Sequence, residues 1–195
     1  PITENFPSCY DLKAGCSTSL AALHNAYMFL NSGVETVLTV TAETLSKVIH
    51  PQNPETWFGL ADGAAALIIN RSKNPQFKIL NSYFSVDGNY VNAYTVPGAL
   101  PPNMPNTTPQ EYYMQGDGQL METIAFKKYC EMLDVIHNNK LLENIHYLIP
   151  HQVNLSLINK VLEKYPFSGK MIWDAHAIGN IGGSSILYSL SKLIS

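Results

Sequence analysis

Three side chains of this sequence stand where a predicted element begins or ends and carry groups that could work on one carbonyl: the thiol of Cys16, the imidazole of His151 and the carboxamide of Asn180. A thiolate attacks a carbonyl carbon, while imidazole and amide N–H groups orient the acyl group and stabilise the oxyanion that forms. Cys16 opens a predicted helix, where free backbone N–H groups and the helix dipole favour an anion, so its thiolate is expected to form at low cost. His151 follows the apolar run "YLIP" and precedes a helix; Asn180 lies in "GNIGG" between "MIWDA" and the last helix. Each residue alone also has a plainer explanation. Free cysteines are among the most buried residue types, and Asn tolerates a left-handed turn position. Cys9 and Cys130 are read as small buried hydrophobes, His24, His50, His137 and His146 as surface or capping residues, and His176 as a hydrogen-bonded loop residue near Asn180.

The elements that must position these groups are legible from periodicity. Leu20, Leu23, Ala26, Tyr27 and Leu30 recur at helical spacing, predicting a helix over 17–30 with Gly33 as its stop. "VETVLTVTAE" alternates and is β-branched, "AAALIIN" is a short apolar run between turn residues, and "FKILNSYFSV" continues the pattern; all three read as strands. Residues 87–110 form a Pro/Asn/Gly-rich excursion longer than ordinary connections, of the kind that covers a site or an interface. A helix is predicted over 118–137, a strand at "IHYLIP", a helix opened by Asn154, a strand at "KMIWDA" and a closing helix from Gly182. The strand–helix alternation of the second half predicts an α/β sheet with mostly parallel strands, whose carboxyl ends would gather Cys16, His151 and Asn180 in one cleft.

Bulk composition narrows the function classes. The 195 residues are 46% hydrophobic and 14% charged, enough for a sizeable core. A net charge of −3 without an Arg-rich stripe offers no footprint for nucleic acid. No apolar run approaches the ~20 residues that span a bilayer, and "PITENFPSCY" lacks the pattern of a secretory leader, so no membrane association and a cytoplasmic setting are expected. Three cysteines without C-x-x-C spacing point to free thiols and to neither a disulfide framework nor a metal site.

Beyond single residues, longer stretches carry a resemblance. "DLKAGCSTSLAALHNAYMFLNSG" with "VLTVTAE" resembles the nucleophile segment of the ketoacyl-ACP synthase III enzymes of the thiolase superfamily. "FGLADGAAALII" is similar to their Phe-Gly-Asp-Gly-Ala motif with Leu60 and Ala61 inserted, "IPHQVNLSLINKV" to their Pro-His-Gln-Ala-Asn block, and "GNIGGSSILYSL" to their Gly-Asn-Thr block before a helix. "MQGDGQLMETIAF" resembles the opening of their long second-half helix.

The resemblance implies an α/β fold of thiolase-like layered α/β/α/β/α architecture, here truncated at both ends. Residues 1–72 would be the C-terminal part of the first thiolase-like half, carrying the nucleophile segment, and residues 73–195 the second half lacking its final strands. It implies that Cys16 accepts an acyl group from acyl-CoA or an acyl-carrier thioester, and that His151 and Asn180 stabilise the enolate formed by decarboxylating a malonyl thioester. The Cys16 N–H would hold the tetrahedral oxyanion. No tightly bound cofactor is implied. An acyl carrier protein is the implied partner, with a homodimer or heterodimer, and the absent strands would belong either to a longer parent chain or to a separate polypeptide. Ser156 stands where many relatives have an Arg that meets a phosphate, which leaves CoA usage open; Lys160 and Lys164 are placed to meet an acidic carrier or to form a solvated basic face.

Two rivals remain at this point. A papain-like cysteine protease shares the order Cys, His, Asn, but Cys16 lacks that family's flanking residues. A non-catalytic or fragment partner subunit of a condensing enzyme would have no use for all three polar groups.

Overall fold

The computed structural model describes residues 8–54, 59–75, 77–98, 108–138 and 145–194. Two paired strands lie at the centre of its first part. Strand β1, Thr36–Glu43, pairs antiparallel with β2, Gly63–Asn70, in an unbroken register from Thr36 opposite Asn70 to Glu43 opposite Gly63. Alternation in both strands sorts side chains to two faces. Thr39 and Thr41 are buried on the face that receives helix α1, Thr18–Asn31, and helix α5, Ser185–Ile194. Their hydroxyls donate to the Leu67 and Ala65 carbonyls, so burying two threonines leaves no orphan donor. Gly33, with φ of 106°, ends the segment after α1 as the sequence predicts.

Helix α2, Gly118–Asn138, and helix α3, Leu155–Lys164, pack around Leu133, Leu157 and Val161. Asn154 caps α3 by accepting from the Leu157 N–H at 3.0 Å, as its position predicts. Strands β5, Tyr147–Leu148, and β6, Lys170–Met171, run parallel, and the short helix α4, Ala175–Ile178, leads towards Asn180. Between β2 and α2 in sequence, β3, Tyr94–Thr95, pairs antiparallel with β4, Gln115–Gly116, inside and just after the long excursion. Residues 99–107 of that excursion lie outside the described residues.

Two expectations need correction. The stretch "FKILNSYFSV" forms no strand: Leu80, Tyr83, Phe84 and Val86 are exposed, and none of the described residues pairs with it. Strand propensity without a partner and a buried face does not suffice to form a ladder. The sheet is also not mostly parallel. Among the described residues there are three two-stranded ladders, of which only β5–β6 is parallel.

Candidate active site

Cys16 lies in a single 3-10 turn, Gly15–Ser17, that winds directly into α1. Thr18 holds this turn with its hydroxyl, which donates to the Gly15 carbonyl at 2.6 Å and accepts from the Ala14 N–H at 3.1 Å. Gly15 takes φ of 53°, a conformation that a side chain would strain. Cys16 itself is exposed.

Asn180 arrives from the other end of the chain and is tied to the segment before β2. Its N–H donates to the Gly59 carbonyl and its carbonyl accepts from the Ala61 N–H, both at 2.9 Å, forming a parallel bridge with Leu60. Ile181 then packs over Gly63, where an added Cβ would come within 2.8 Å of its side chain. The turn that follows, Gly182–Ser184, packs against the turn bearing Cys16. Contact is close enough that a Cβ on Gly183 would sit 3.0 Å from the Gly15 carbonyl oxygen. The buried Ser19 hydroxyl donates to the Gly183 carbonyl, fastening α1 to the same turn.

The Asn180 side chain is oriented by what its oxygen does. Oδ1 accepts from the Gly182 N–H at 2.9 Å and from the Ser185 hydroxyl at 3.4 Å, which leaves Nδ2 as the donor end.

His151 follows β5. Burial pushes its imidazole down to about 4, so it is neutral near pH 7. Its Nδ1 is buried and has no hydrogen-bond partner among the described residues. Orphaned donors are rarer than orphaned acceptors in proteins, so the proton belongs on Nε2. The His151 main chain also reaches Tyr129, whose phenol is pushed up chiefly by burial; the His151 backbone opposes this, and the nearby Cys16 sulfur adds a smaller upward push. Tyr129 of α2 thus links the surroundings of His151 to those of Cys16.

The expected ease of ionising Cys16 does not hold. Its thiol is pushed up by the surrounding protein and then by the Glu43 carboxylate, and its own N–H opposes this only in part. The short 3-10 turn offers less dipole than a full helix, and the imidazole that would favour a thiolate is uncharged. Cys9 is also exposed, contrary to its reading as a buried hydrophobe, whereas Cys130 is buried as expected. Of the remaining histidines, His24 bonds to the Ser82 hydroxyl through Nδ1 at 2.6 Å, His50 stacks edge-on with Tyr113, and His176 is exposed on α4.

Gln152, next to His151, shows in the sequence only as a letter of the "IPHQVN" block, because a glutamine carries no periodic signal of a structural role. It is 1% exposed; its Nε2 donates to the Pro150 and Ile172 carbonyls, and its Oε1 accepts from the Asp174 and Ala175 N–H groups. One side chain therefore staples the ends of β5 and β6. Glu43 was likewise missed, since it reads as the polar end of a strand.

Comparison with known proteins matches residues 10–88 to the family "3-Oxoacyl-[acyl-carrier-protein (ACP)] synthase III" and residues 137–195 to that family's C-terminal part. The chain belongs to this family. Among relatives of the synthase III family, "Beta-ketoacyl-[acyl-carrier-protein] synthase III" of Clostridium novyi (strain NT) is 31% identical over 95% of this chain and 59% of its own length. The protein of the same name from Helicobacter pylori (strain G27) is 30% identical over 97% of this chain and 59% of its own length. The crystal structure of β-ketoacyl-[acyl carrier protein] synthase III from Thermus thermophilus superposes with a TM-score of 0.82 at 25% identity, covering 95% of this chain and 58% of that one. The chain thus spans about three fifths of the length of the relatives it matches, and its fold is that of the thiolase-type synthases.

The groups proposed to meet a carrier are engaged. Lys160 pairs with Glu122 at 2.7 Å, and the Lys164 ammonium lies over the Tyr165 ring. Ser156 is exposed in the first turn of α3. No group of three or more metal-binding side chains occurs among the described residues, and no helix among them is long and apolar enough to cross a membrane.

Proposed function

We propose that this chain carries the condensing chemistry of β-ketoacyl synthase III, with Cys16 as acyl acceptor and His151 and Asn180 as the enolate-stabilising pair. The observation that carries the proposal is the packing of the Cys16 turn on the turn after Asn180, with the amide oxygen committed to Gly182 and Ser185. In the first half-reaction the Cys16 sulfur attacks a thioester carbonyl, its proton passes to the departing thiolate, and an acyl-Cys16 forms. In the second, a malonyl thioester loses carbon dioxide, the resulting enolate is held by His151 Nε2–H and Asn180 Nδ2–H, and its carbanion displaces Cys16 from the acyl carbonyl. A neutral His151 suits this role, because Nε2 must donate rather than accept. Acyl-CoA or an acyl-carrier thioester supplies the acyl group, an acyl carrier protein is the partner, and the setting is cytoplasmic. Residues 1–72 close the first thiolase-like half and 73–195 belong to the second.

Mass spectrometry of the chain after incubation with acyl-CoA thioesters tests this. The expected result is one acyl adduct mapping to Cys16 and absent in Cys16→Ser, with His151→Ala and Asn180→Ala still acylated but unable to release a β-ketoacyl product when malonyl thioester follows. An unmodified Cys16 across short and long acyl donors overturns it.

A second reading, a subunit that completes a condensing enzyme with another polypeptide, is favoured by one observation: the outer face of β1 and β2 is bare and apolar, while the relatives have further chain. Acylation that appears only after adding a second polypeptide would support it.

A further inference from the structure

Glu43 ends β1 opposite Gly63, at the point where the ribbon meets the turn following Asn180. Its Oε1 accepts from the Gly183 N–H at 3.1 Å. The fit is tight on every side: an added Cβ on Gly182 would lie 3.3 Å from the Glu43 side chain, and one on Gly183 would lie 2.7 Å from Oε1 and 3.0 Å from both the Gly15 carbonyl and Thr18. The Gly182–Gly183 strand of chain is therefore threaded between a carboxylate on one side and the Cys16 turn on the other. The opposite edge of Gly183 is held by Ser19 from α1.

We propose that Glu43 is a positioning residue that sets the register of the Asn180 turn against the Cys16 turn and keeps a fixed negative charge beside the sulfur. The proposal deepens the condensing reading and takes the roles of Cys16 and Asn180 from it, but its geometry stands without turnover. The hydrogen bond fixes where the amide donor of Asn180 sits relative to the acyl carbonyl. The charge acts on the sulfur separately: it favours the neutral thiol in the resting chain, as the upward push of Glu43 on Cys16 indicates. Once the sulfur is acylated it carries no charge, and the carboxylate no longer opposes it. A glutamine at 43 would keep the acceptor and lose the charge; an alanine would lose both.

The two effects are separable by site-resolved measurements on the full chain without any thioester. Hydrogen exchange at the Gly183 amide and iodoacetamide alkylation of Cys16 across pH are followed by peptide mass spectrometry. Glu43→Gln is expected to leave Gly183 protected while alkylating Cys16 about threefold faster at a pH below the thiol midpoint. Glu43→Ala is expected to speed exchange at Gly183 by about tenfold as well. Unchanged exchange in Glu43→Ala, or an alkylation profile in Glu43→Gln that overlays the parent, overturns the proposal. Glu43→Gln is nearly isosteric, so the charge arm remains decisive should the alanine variant not fold. Failure of Cys16 to take an acyl group would instead count against the condensing reading and leave these two measurements untouched.

Discussion

At the scale of single residues, the site is built from groups kept uncharged by their surroundings. His151 is the clearest case, since burial alone holds its imidazole down to about 4 against an ordinary 6.5. Between those values the unfolded chain binds the proton and the folded chain does not. Stability therefore rises with pH across that window and is lost as pH falls through it. The whole shift corresponds to about 3 kcal/mol. Urea unfolding of the parent and of His151→Asn at several pH values checks this: the parent should lose more stability than the variant on acidification from neutral to about pH 4, and parallel curves would mean that His151 is not held neutral by the fold. Cys16 has the opposite consequence on the alkaline side. Because the protein atoms crowded around its sulfur, which strip water from it although the residue reaches the surface, and then Glu43 push its thiol up, acylation by a thioester should still be gaining rate where an ordinary cysteine has levelled off.

At the scale of elements, what positions His151 is a staple rather than a cap. Gln152 satisfies four main-chain groups, from the residues just after β5 and β6 and at the start of α4, whereas Asn154 satisfies one N–H at the start of α3. Leaving buried main-chain groups without partners costs more than losing a cap. Gln152→Leu should therefore destabilise by about 3 kcal/mol and Asn154→Ala by about 1 kcal/mol, as read from urea midpoints; equal losses would show that the Gln152 network is compensated by water. The same contrast explains what could be read in advance. Helices α1, α2 and α3 declare themselves through local periodicity and caps and lie within a residue or two of the expected limits wherever their ends were specified, whereas the closing helix expected from Gly182 opens as the 3-10 turn Gly182–Ser184 and becomes α5 only at Ser185. The order and family of the motifs around Cys16, His151 and Asn180 were legible too, because each motif is contiguous. Strand pairing was not: "IHYLIP" and "KMIWDA" contribute two paired residues each, and "FKILNSYFSV" none, because a ladder depends on a neighbour distant in the sequence. Glu43 and Tyr129 were invisible for the same reason, since each matters only through residues far along the chain.

At the scale of the molecule, the β1–β2 ribbon has one covered face and one bare one. Helices α1 and α5 cover the first. The second presents Leu38, Val40 and Ile68, each more than 60% exposed, with Ala42, Ala64 and Ala66 exposed between them. Each strand also has only the other as a neighbour among the described residues. A layered α/β protein buries both faces of its sheet, and the relatives of this chain have additional sequence with which to do so. On its own the chain therefore carries a contiguous apolar patch bordered by open strand edges, the combination that drives association in water. Leu38 and Ile68 face each other across the ladder, so Leu38→Lys with Ile68→Glu replaces an apolar cross-strand pair with an opposite-charge pair and keeps the register. Light scattering at micromolar concentration should show the parent chain self-associating and the double variant markedly less so, with circular dichroism unchanged. A parent chain that stays monodisperse would mean that the bare face is tolerated by water. If the double variant also lost the ability to be acylated at Cys16, the far face of the ribbon would be coupled to the site through β1, whose last residue is Glu43.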